Sequence, residues 1–225
     1  MTIKLSPITE QLCHAFLNLK DKKEVESFLR DLSTPSEIKS MAERFEVANL
    51  LMKGFLCYRE IHRLTKVSIA TITRVARFLF HENNQGYKLV IKRMQNSNLL
   101  VERKEPEDFT QEALYDQLYQ TFLVFSQKEI MELYKFLLDL CTPSEIKSMK
   151  ERLQVANLLK VGFLAYREIH DLTKVSIATI TRVARFLFQE NNQGYKLVLK
   201  RLGDASLLVK AEDSAEEDNV TALHG

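Results

Sequence analysis

Phe28–Phe45 reads FLRDLSTPSEIKSMAERF, and 108 residues further on Phe136–Leu153 reads FLLDLCTPSEIKSMKERL. The correspondence continues without a gap through YREIH and SIATITRVARFLF, and only 12 of the 67 positions from Phe28 to Met94 differ from their counterparts. Duplication at one fixed offset means one folded unit built twice in a single polypeptide. A weaker likeness pairs Leu12–Lys20 with Leu118–Phe125 at an offset of 106, so each unit starts upstream of its strongest repeat. The expected division is a first unit over residues 1–100, a linker over 101–114, a second unit over 115–204, and a disordered acidic tail over 205–225.

Within a unit every strong signal is helical. A first helix is expected near Ile8–Leu19 and a second near Lys22–Leu32. Thr34-Pro35-Ser36-Glu37 opens a third, with Thr34 as N-cap, Pro35 at the first helical position and Glu37 three residues after the cap. Gly54 ends it in the place where glycine commonly closes a helix. Tyr58–Thr65 then forms a short helix with Ile61 and Leu64 inward, Lys66-Val67-Ser68 a turn, and Ile69–Phe80 a further helix capped by Ser68. Ile72, Val75, Ala76 and Leu79 make that helix's buried stripe. Asn83-Asn84-Gln85-Gly86 breaks the chain before a last helix over Tyr87–Met94. Phe78 and Phe80 read as core, and Arg44 with Glu43 as a solvated pair. The fold class is all-α.

Composition narrows the function. With 6 Gly and 4 Pro among 225 residues long helices are expected, and units this small often cover apolar surface by packing on a partner. No apolar run approaches the roughly 20 residues of a membrane span, and Met1–Lys20 lacks a signal-peptide pattern, so a cytoplasmic protein without a membrane partner is expected. Cys13, Cys57 and Cys141 form no Cys-x-x-Cys pair, and Cys57 and Cys141 are Ala165 and Ser33 in the other copy, which argues against a disulfide framework or a zinc site. His62 and His170 occupy equivalent places without a metal-binding partner pattern. No nucleophile, base and oxyanion set appears in both copies, so an enzyme is not expected. The net charge of +2 hides an asymmetry: Gly203–Gly225 carries six acids against Lys210, leaving a basic body suited to a polyanion.

Two short helices joined by about three residues, the second opening on small and hydroxyl side chains, match the helix-turn-helix in which the second helix enters the DNA major groove N-terminus first. Ile69, Ala70 and Thr71 are slim enough for that leading turn, aliphatic groups there can meet thymine methyls, and Thr hydroxyls can bond base edges. Arg59 can reach a guanine or the backbone. One feature runs against the pattern. The turn position often held by glycine is Lys66, and Lys174 in the second copy, so the turn is either strained or of another type.

The segment LSTPSEIKSMAERFEVANLL with YREIHRLTKVSIATITRVARFL resembles the trp repressor superfamily, most closely its small trp-repressor-related subfamily, over nearly all of each unit. The resemblance implies an all-helical intertwined dimer with two reading heads, here two tandem copies in one chain. It implies that Arg59, Ile69, Ala70 and Thr71 face DNA bases with His62 and Thr73 near the backbone, and likewise Arg167, Ile177, Ala178, Thr179, His170 and Thr181. Ser68, Arg74, Ser176 and Arg182 complete the expected DNA-facing set. It also implies a tryptophan pocket at Thr34, Arg44, Arg74, Val75 and Phe78, repeated at Thr142, Arg152, Arg182, Val183 and Phe186. Val75 and Phe78 stand where the family's ligand binder has Gly and Ser, and would fill the space the indole needs. No tryptophan cofactor is therefore expected, and the Val and Phe side chains either occupy the pocket permanently or leave room for a different small ligand.

Leu64–Phe80 equals Leu172–Phe188 residue for residue, so both heads are expected to prefer one half-site sequence on double-stranded DNA. A palindrome is read by heads about 34 Å apart. The simplest expectation is a monomeric pseudo-dimer reading a near-palindromic operator as a transcriptional regulator, acting as a repressor. A domain-swapped homodimer with four heads is the other assembly left open. The alternative function is a helical interaction module that binds a protein rather than DNA.

Overall fold

The computed structural model describes residues 5–203; the expected acidic tail lies outside the described residues. The first half contains α1 (Pro7–Leu17), α2 (Lys22–Leu32), α3 (Pro35–Lys53), α4 (Tyr58–Thr65), α5 (Ile69–Phe80) and α6 (Gly86–Asn96). The second contains α7 (Gln111–Thr121), α8 (Ile130–Leu140), α9 (Pro143–Val161), α10 (Tyr166–Thr173), α11 (Ile177–Phe188) and α12 (Gly194–Leu202). There is no strand among the described residues. No described helix is long and apolar enough to cross a membrane.

Local chemistry sets the helix ends. Thr34 Oγ1 accepts from the Glu37 amide at 3.2 Å while the Glu37 carboxylate accepts from the Thr34 amide at 2.6 Å, and Thr142 and Glu145 repeat the reciprocal pair at the start of α9. Each pair satisfies orphan donors of a helix first turn. Gly54 and Gly162, at φ 78° and 79°, close the same two helices in the left-handed region that glycine occupies without strain.

The halves interlock. α1 packs on α8, α9 and α12 of the other half, and α7 packs reciprocally on α2 and α3. α6 lies on α8, and α12 on α2, at very close approach: a Cβ at Gly86 would stand 2.4 Å from the Phe136 Cα, and one at Gly194 would stand 2.5 Å from the Phe28 Cα. Near the pseudo-twofold axis Phe16 stacks on its counterpart Phe122, with ring centroids 4.5 Å apart. Buried Asp139 accepts from the Tyr87 amide and from Asn84, and buried Asp31 accepts from the Tyr195 amide, so each half anchors the last helix of the other. Burial pushes both carboxyls above the usual Asp range, with the hydrogen bonds pulling the other way. One apolar core runs through both halves.

Several expectations need correction. α1 stops at Leu17, because Asn18 turns the chain there, and α6 reaches Asn96. Phe80 is 46% exposed, turned about 100° from Leu79 and so off the Ile72/Val75/Leu79 stripe at the end of its helix. Arg44 and Glu43 are no pair: Arg44 is buried and crosses to Glu145, while Glu43 meets Lys39. Between α6 and α7 the chain makes a 3-10 turn at Pro106–Asp108 and is pinned by buried Arg103, which donates to Glu46 at 2.8 Å and to the Ala113 carbonyl at 2.8 Å.

Candidate nucleic-acid interface

Each head is built from side chains that hold a tight turn. Lys66 lies at φ 61°, ψ 7° and Lys174 at φ 56°, ψ 11°, so the lysine adopts the left-handed conformation in both copies. That choice costs about 1–2 kcal/mol for a residue with a Cβ, and neighbouring bonds hold it in place. The Lys66 amide donates to the His62 carbonyl at 2.8 Å, Thr65 Oγ1 donates to the Ile61 carbonyl, and the Val67 amide donates back to Thr65 Oγ1. Val67 is buried beneath them. The second head repeats every one of these bonds through Lys174, Thr173 and Val175.

His62 Nδ1 lies 2.7 Å from the Val67 carbonyl, and His170 Nδ1 lies 2.8 Å from that of Val175. A carbonyl only accepts, so each Nδ1 carries a proton, and the Nε2 edge is the one this bond does not use. The histidines thus brace the turn as well as bordering the head.

Ser68 Oγ accepts from the Thr71 amide at 3.1 Å and Ser176 Oγ from Thr179 at 3.2 Å, capping α5 and α11. The leading turns stand bare. Ile69 and Ile177 are 42% and 41% exposed, and Arg59, Ser68, Ala70, Thr73 and their counterparts Arg167, Ser176, Ala178 and Thr181 are exposed as well. Thr71 and Thr179 are half-buried, their hydroxyls 2.9 and 3.0 Å from those of Ser68 and Ser176. Thr73 and Thr181 donate their hydroxyl protons to the Ile69 and Ile177 carbonyls, leaving the oxygens as acceptors and the methyl groups outward.

Arg74 and Arg182 depart from the expected DNA-facing set. Arg74 Nη2 donates to the Cys141 carbonyl at 3.2 Å and Arg182 Nη2 to the Ser33 carbonyl at 2.9 Å, each across to the other half. Both guanidinium groups lie over a phenylalanine of their own helix, Phe78 and Phe186. They stand away from the buried stripe of their own helices, and a carbonyl just before the opposing long helix receives them from the other half.

The pocket positions also assemble across the halves, and they are occupied by protein. Arg44 Nη2 reaches both Glu145 oxygens at 2.9 and 2.8 Å, and Arg152 makes a fork to Glu37 at 2.7 and 3.0 Å while donating to the Leu32 carbonyl. Burial pushes the Glu37 carboxyl upward, but the bonds from Arg152 and Thr34 outweigh it and hold the group below the usual range. Thr34 and Thr142 are committed to their capping boxes. Val75 and Val183 are buried at 1% and 0% exposure, and Phe78 and Phe186 are half-buried. An open cleft of about 320 Å³ lies between the halves on the outer side of Phe78, lined by Phe78 and Asn84 from the first half and by Tyr134, Leu138, Cys141, Ile146, Lys147 and Lys150 from the second.

The sequence marks Lys66 and Lys174 for their backbone and not for their charge, and it does not mark Phe55 and Phe163. Lys66 and Lys174 add positive charge at the turn of each head. Phe55 and Phe163 stand 73% and 88% exposed just after the helix-closing glycines. The available signal was the Gly-Phe-Leu step itself, an apolar side chain on the outer side of a left-handed cap.

An all-helical pseudo-dimer that presents two helix-turn-helix heads with identical recognition helices is the architecture of a DNA-binding regulator. The Trp repressor protein family matches the chain twice, over residues 9–95 and 114–203, and the chain belongs to that family. It is similar to "Uncharacterized protein YerC" of Bacillus subtilis (strain 168), 42% identical over 87 residues that make up 39% of this chain and 80% of that protein. It is also similar to the "Trp operon repressor homolog" of Vibrio campbellii (strain ATCC BAA-1116), 37% identical over 29% of this chain and 65% of the relative. The homolog of the same name from Chlamydia trachomatis (serovar D) is 44% identical over 27% of this chain and 68% of its own length. No solved structure gives a significant match.

Proposed function

We propose that the protein is a sequence-specific transcriptional regulator, acting as a repressor, that reads a near-palindromic double-stranded DNA operator with the leading turns of α5 and α11. The observation that carries the reading is the pair of leading Ile-Ala-Thr turns, each capped by a serine with its Ile and Ala exposed, together with Arg59 and Arg167 exposed on the preceding helices. Nothing bulky precedes them on the helix, as groove entry requires. Fusion of the two heads into one chain makes the second contact intramolecular, so one molecule serves as the reading species without a concentration-dependent dimerisation step.

The reading includes no tryptophan requirement. An indole would have to displace buried Val75 or Val183, and its carboxylate would have to compete with Glu145 or Glu37 for Arg44 or Arg152. Losing a buried ion pair for a ligand of the same charge brings little net gain.

Selection of bound sequences from random duplexes tests the proposal. The expected product is an inverted pair of one half-site, bound with an affinity that falls steeply with salt. Thr71→Ala with Thr179→Ala should narrow the gap between operator and random DNA by about 1–3 kcal/mol per lost base contact. Failure to enrich any sequence, with weak binding at every salt concentration, would refute it.

A further inference from the structure

The exposed face of α5 continues past its leading turn. Ile69, Thr73, Arg77 and Phe80 make one outward ridge at helical spacing, and Ile177, Thr181, Arg185 and Phe188 repeat it on α11. Arg77 and Arg185 are the cations of those ridges. Neither belongs to the DNA-facing set expected from the sequence, which contains Arg74 and Arg182.

Their place along the helix decides what they can meet. Eight residues at about 1.5 Å each put Arg77 about 12 Å behind Ile69 along the axis. The major groove is about 8.5 Å deep. A helix that presents its leading turn to the groove floor therefore carries Arg77 back past the base edges, to the level of the phosphates at the rim.

Two neighbours hold the guanidinium there. The Phe78 ring takes Arg74 at 5.3 Å and Arg77 at 5.1 Å from its centroid, and the Phe186 ring takes Arg182 at 4.9 Å and Arg185 at 5.2 Å. Arg74 and Arg182 are themselves tied to carbonyls of the opposite half, Cys141 and Ser33. Each ring thus joins an arginine fixed in the interface to one that faces solvent. The second neighbour is a carboxylate placed by the backbone. The His81 and Glu82 amides both donate to the Arg77 carbonyl, at 2.9 and 3.1 Å, and the Gln189 and Glu190 amides donate likewise to that of Arg185. This turn sets the Glu82 carboxylate 3.4 Å from Arg77 Nε and the Glu190 carboxylate 3.3 Å from Arg185 Nε. The arginine side chains stay 61% and 56% exposed, so each guanidinium keeps an open edge for an anion. Position 81 is His in one copy and Gln in the other, while the arginine, phenylalanine and glutamate are the same in both.

We propose that Arg77 and Arg185 are the phosphate clamps of the two heads, and that Phe78 with Glu82, and Phe186 with Glu190, are positioning residues that hold each guanidinium at the groove rim. The proposal rests on the DNA reading above and assigns part of its electrostatic attraction to named side chains. A guanidinium stacked on a ring and paired at Nε is set in place before the phosphate arrives, so little side-chain freedom is lost on binding. The phenylalanines that fill the indole space thereby also serve the DNA face.

Titration of a selected operator across about 50–200 mM salt tests this, with melting temperature as the control. Arg77→Gln with Arg185→Gln should lower the slope of log K against log salt by about 1.8, two contacts at about 0.9 each, and weaken binding about 60-fold at about 0.1 M salt without a change in melting temperature. Arg77→Lys with Arg185→Lys keeps both charges but neither the flat face nor the pairing at Nε, so it should keep the slope and bind about threefold to tenfold more weakly. Phe78→Leu with Phe186→Leu, which stays apolar, should behave as the lysine variant does. An unchanged slope in the glutamine variant would overturn the phosphate assignment. Wild-type affinity in both the lysine and the leucine variants would overturn the positioning role. A wild type that selects no duplex refutes the DNA reading along with this proposal, whereas a wild type that binds its operator beside variants that bind equally well refutes this proposal alone.

Discussion

Between Tyr58 and Phe80 the two heads differ at one position, Arg63 in α4 against Asp171 in α10, and both side chains are exposed. Reversing that charge isolates backbone attraction from base reading. Asp171→Arg gives the second head the cation that the first already has, adding one phosphate partner. Each such contact steepens the plot of log K against log salt by about 0.9. At 0.1 M salt one more contact of this kind strengthens binding by about eightfold, and between 50 and 200 mM it increases the loss of affinity by about 3.5-fold. Arg63→Asp should act in the opposite sense on the first head. Neither substitution should alter the preferred half-site, because phosphate contacts carry no sequence information. Fluorescence anisotropy titrations of a selected operator across that salt range provide the measurement. Unchanged slopes in both variants would show that these ends of α4 and α10 do not face the duplex. A changed half-site preference would show that the position reads bases.

Further outcomes concern the body of the protein. Calorimetry with tryptophan should give no stoichiometric isotherm; a micromolar one would show that Val183 and Phe186 or Val75 and Phe78 move aside. Glu37→Gln should destabilise the fold by about 3 kcal/mol at neutral pH, since it strands Arg152 in the interface. Because the folded Glu37 pKa is depressed, its contribution is present above the unfolded value and is lost as pH falls through the folded one, so the variant should lose less stability on acidification than the wild type in urea titrations. Cys13 and Cys141, buried and each pushed up to about 12, should stay unreactive toward a thiol reagent at pH 8 while exposed Cys57 reacts, giving one fast thiol in the native protein and three in denaturant. Arg103→Ala should cost about 3–5 kcal/mol by stranding Glu46, and adding Glu46→Gln should recover most of it, leaving about 1 kcal/mol for the lost bond to the Ala113 carbonyl; additive losses in the double variant would refute the coupling.

Local chemistry was legible in the sequence and cross-half chemistry was not. The Thr-Pro-Ser-Glu box, the closing glycine and the Ile72/Val75/Ala76/Leu79 stripe involve residues a few positions apart, and the structure places each as expected. At Lys66 the sequence is compatible with two turns, and the left-handed one forms because His62, Thr65 and Val67 bond around it. The contacts of Arg44 and Arg74 are not legible in the sequence for a different reason. Their partners, Glu145 and the Cys141 carbonyl, lie 101 and 67 residues away, and no periodicity along one helix points to them. The same limit hid the unequal exposure of Leu64 and Leu172: the sequence from each to the end of its recognition helix is identical, and the turn at Pro106–Asp108, some forty residues on from Leu64, lies against α4.

Fusion explains why the halves can diverge where they do. In a symmetric dimer of identical chains a residue near the axis meets its own copy, and every substitution appears twice, so a change must suit both sides of the interface at once. Here Phe16 meets Phe122 as a different residue, and each half mutates alone. Cys141 stands opposite Met41, with 3.6 Å between the sulfurs, where the other half has Ser33, and Leu138 and Cys141 line a cleft beside Phe78 whose counterparts are Arg30 and Ser33. The recognition helices kept every residue over Ile69–Phe80 and Ile177–Phe188 while the interior changed around them. A surface that had to match one repeated DNA half-site would hold its twofold likeness in this way, whereas packing needs only mutual complementarity.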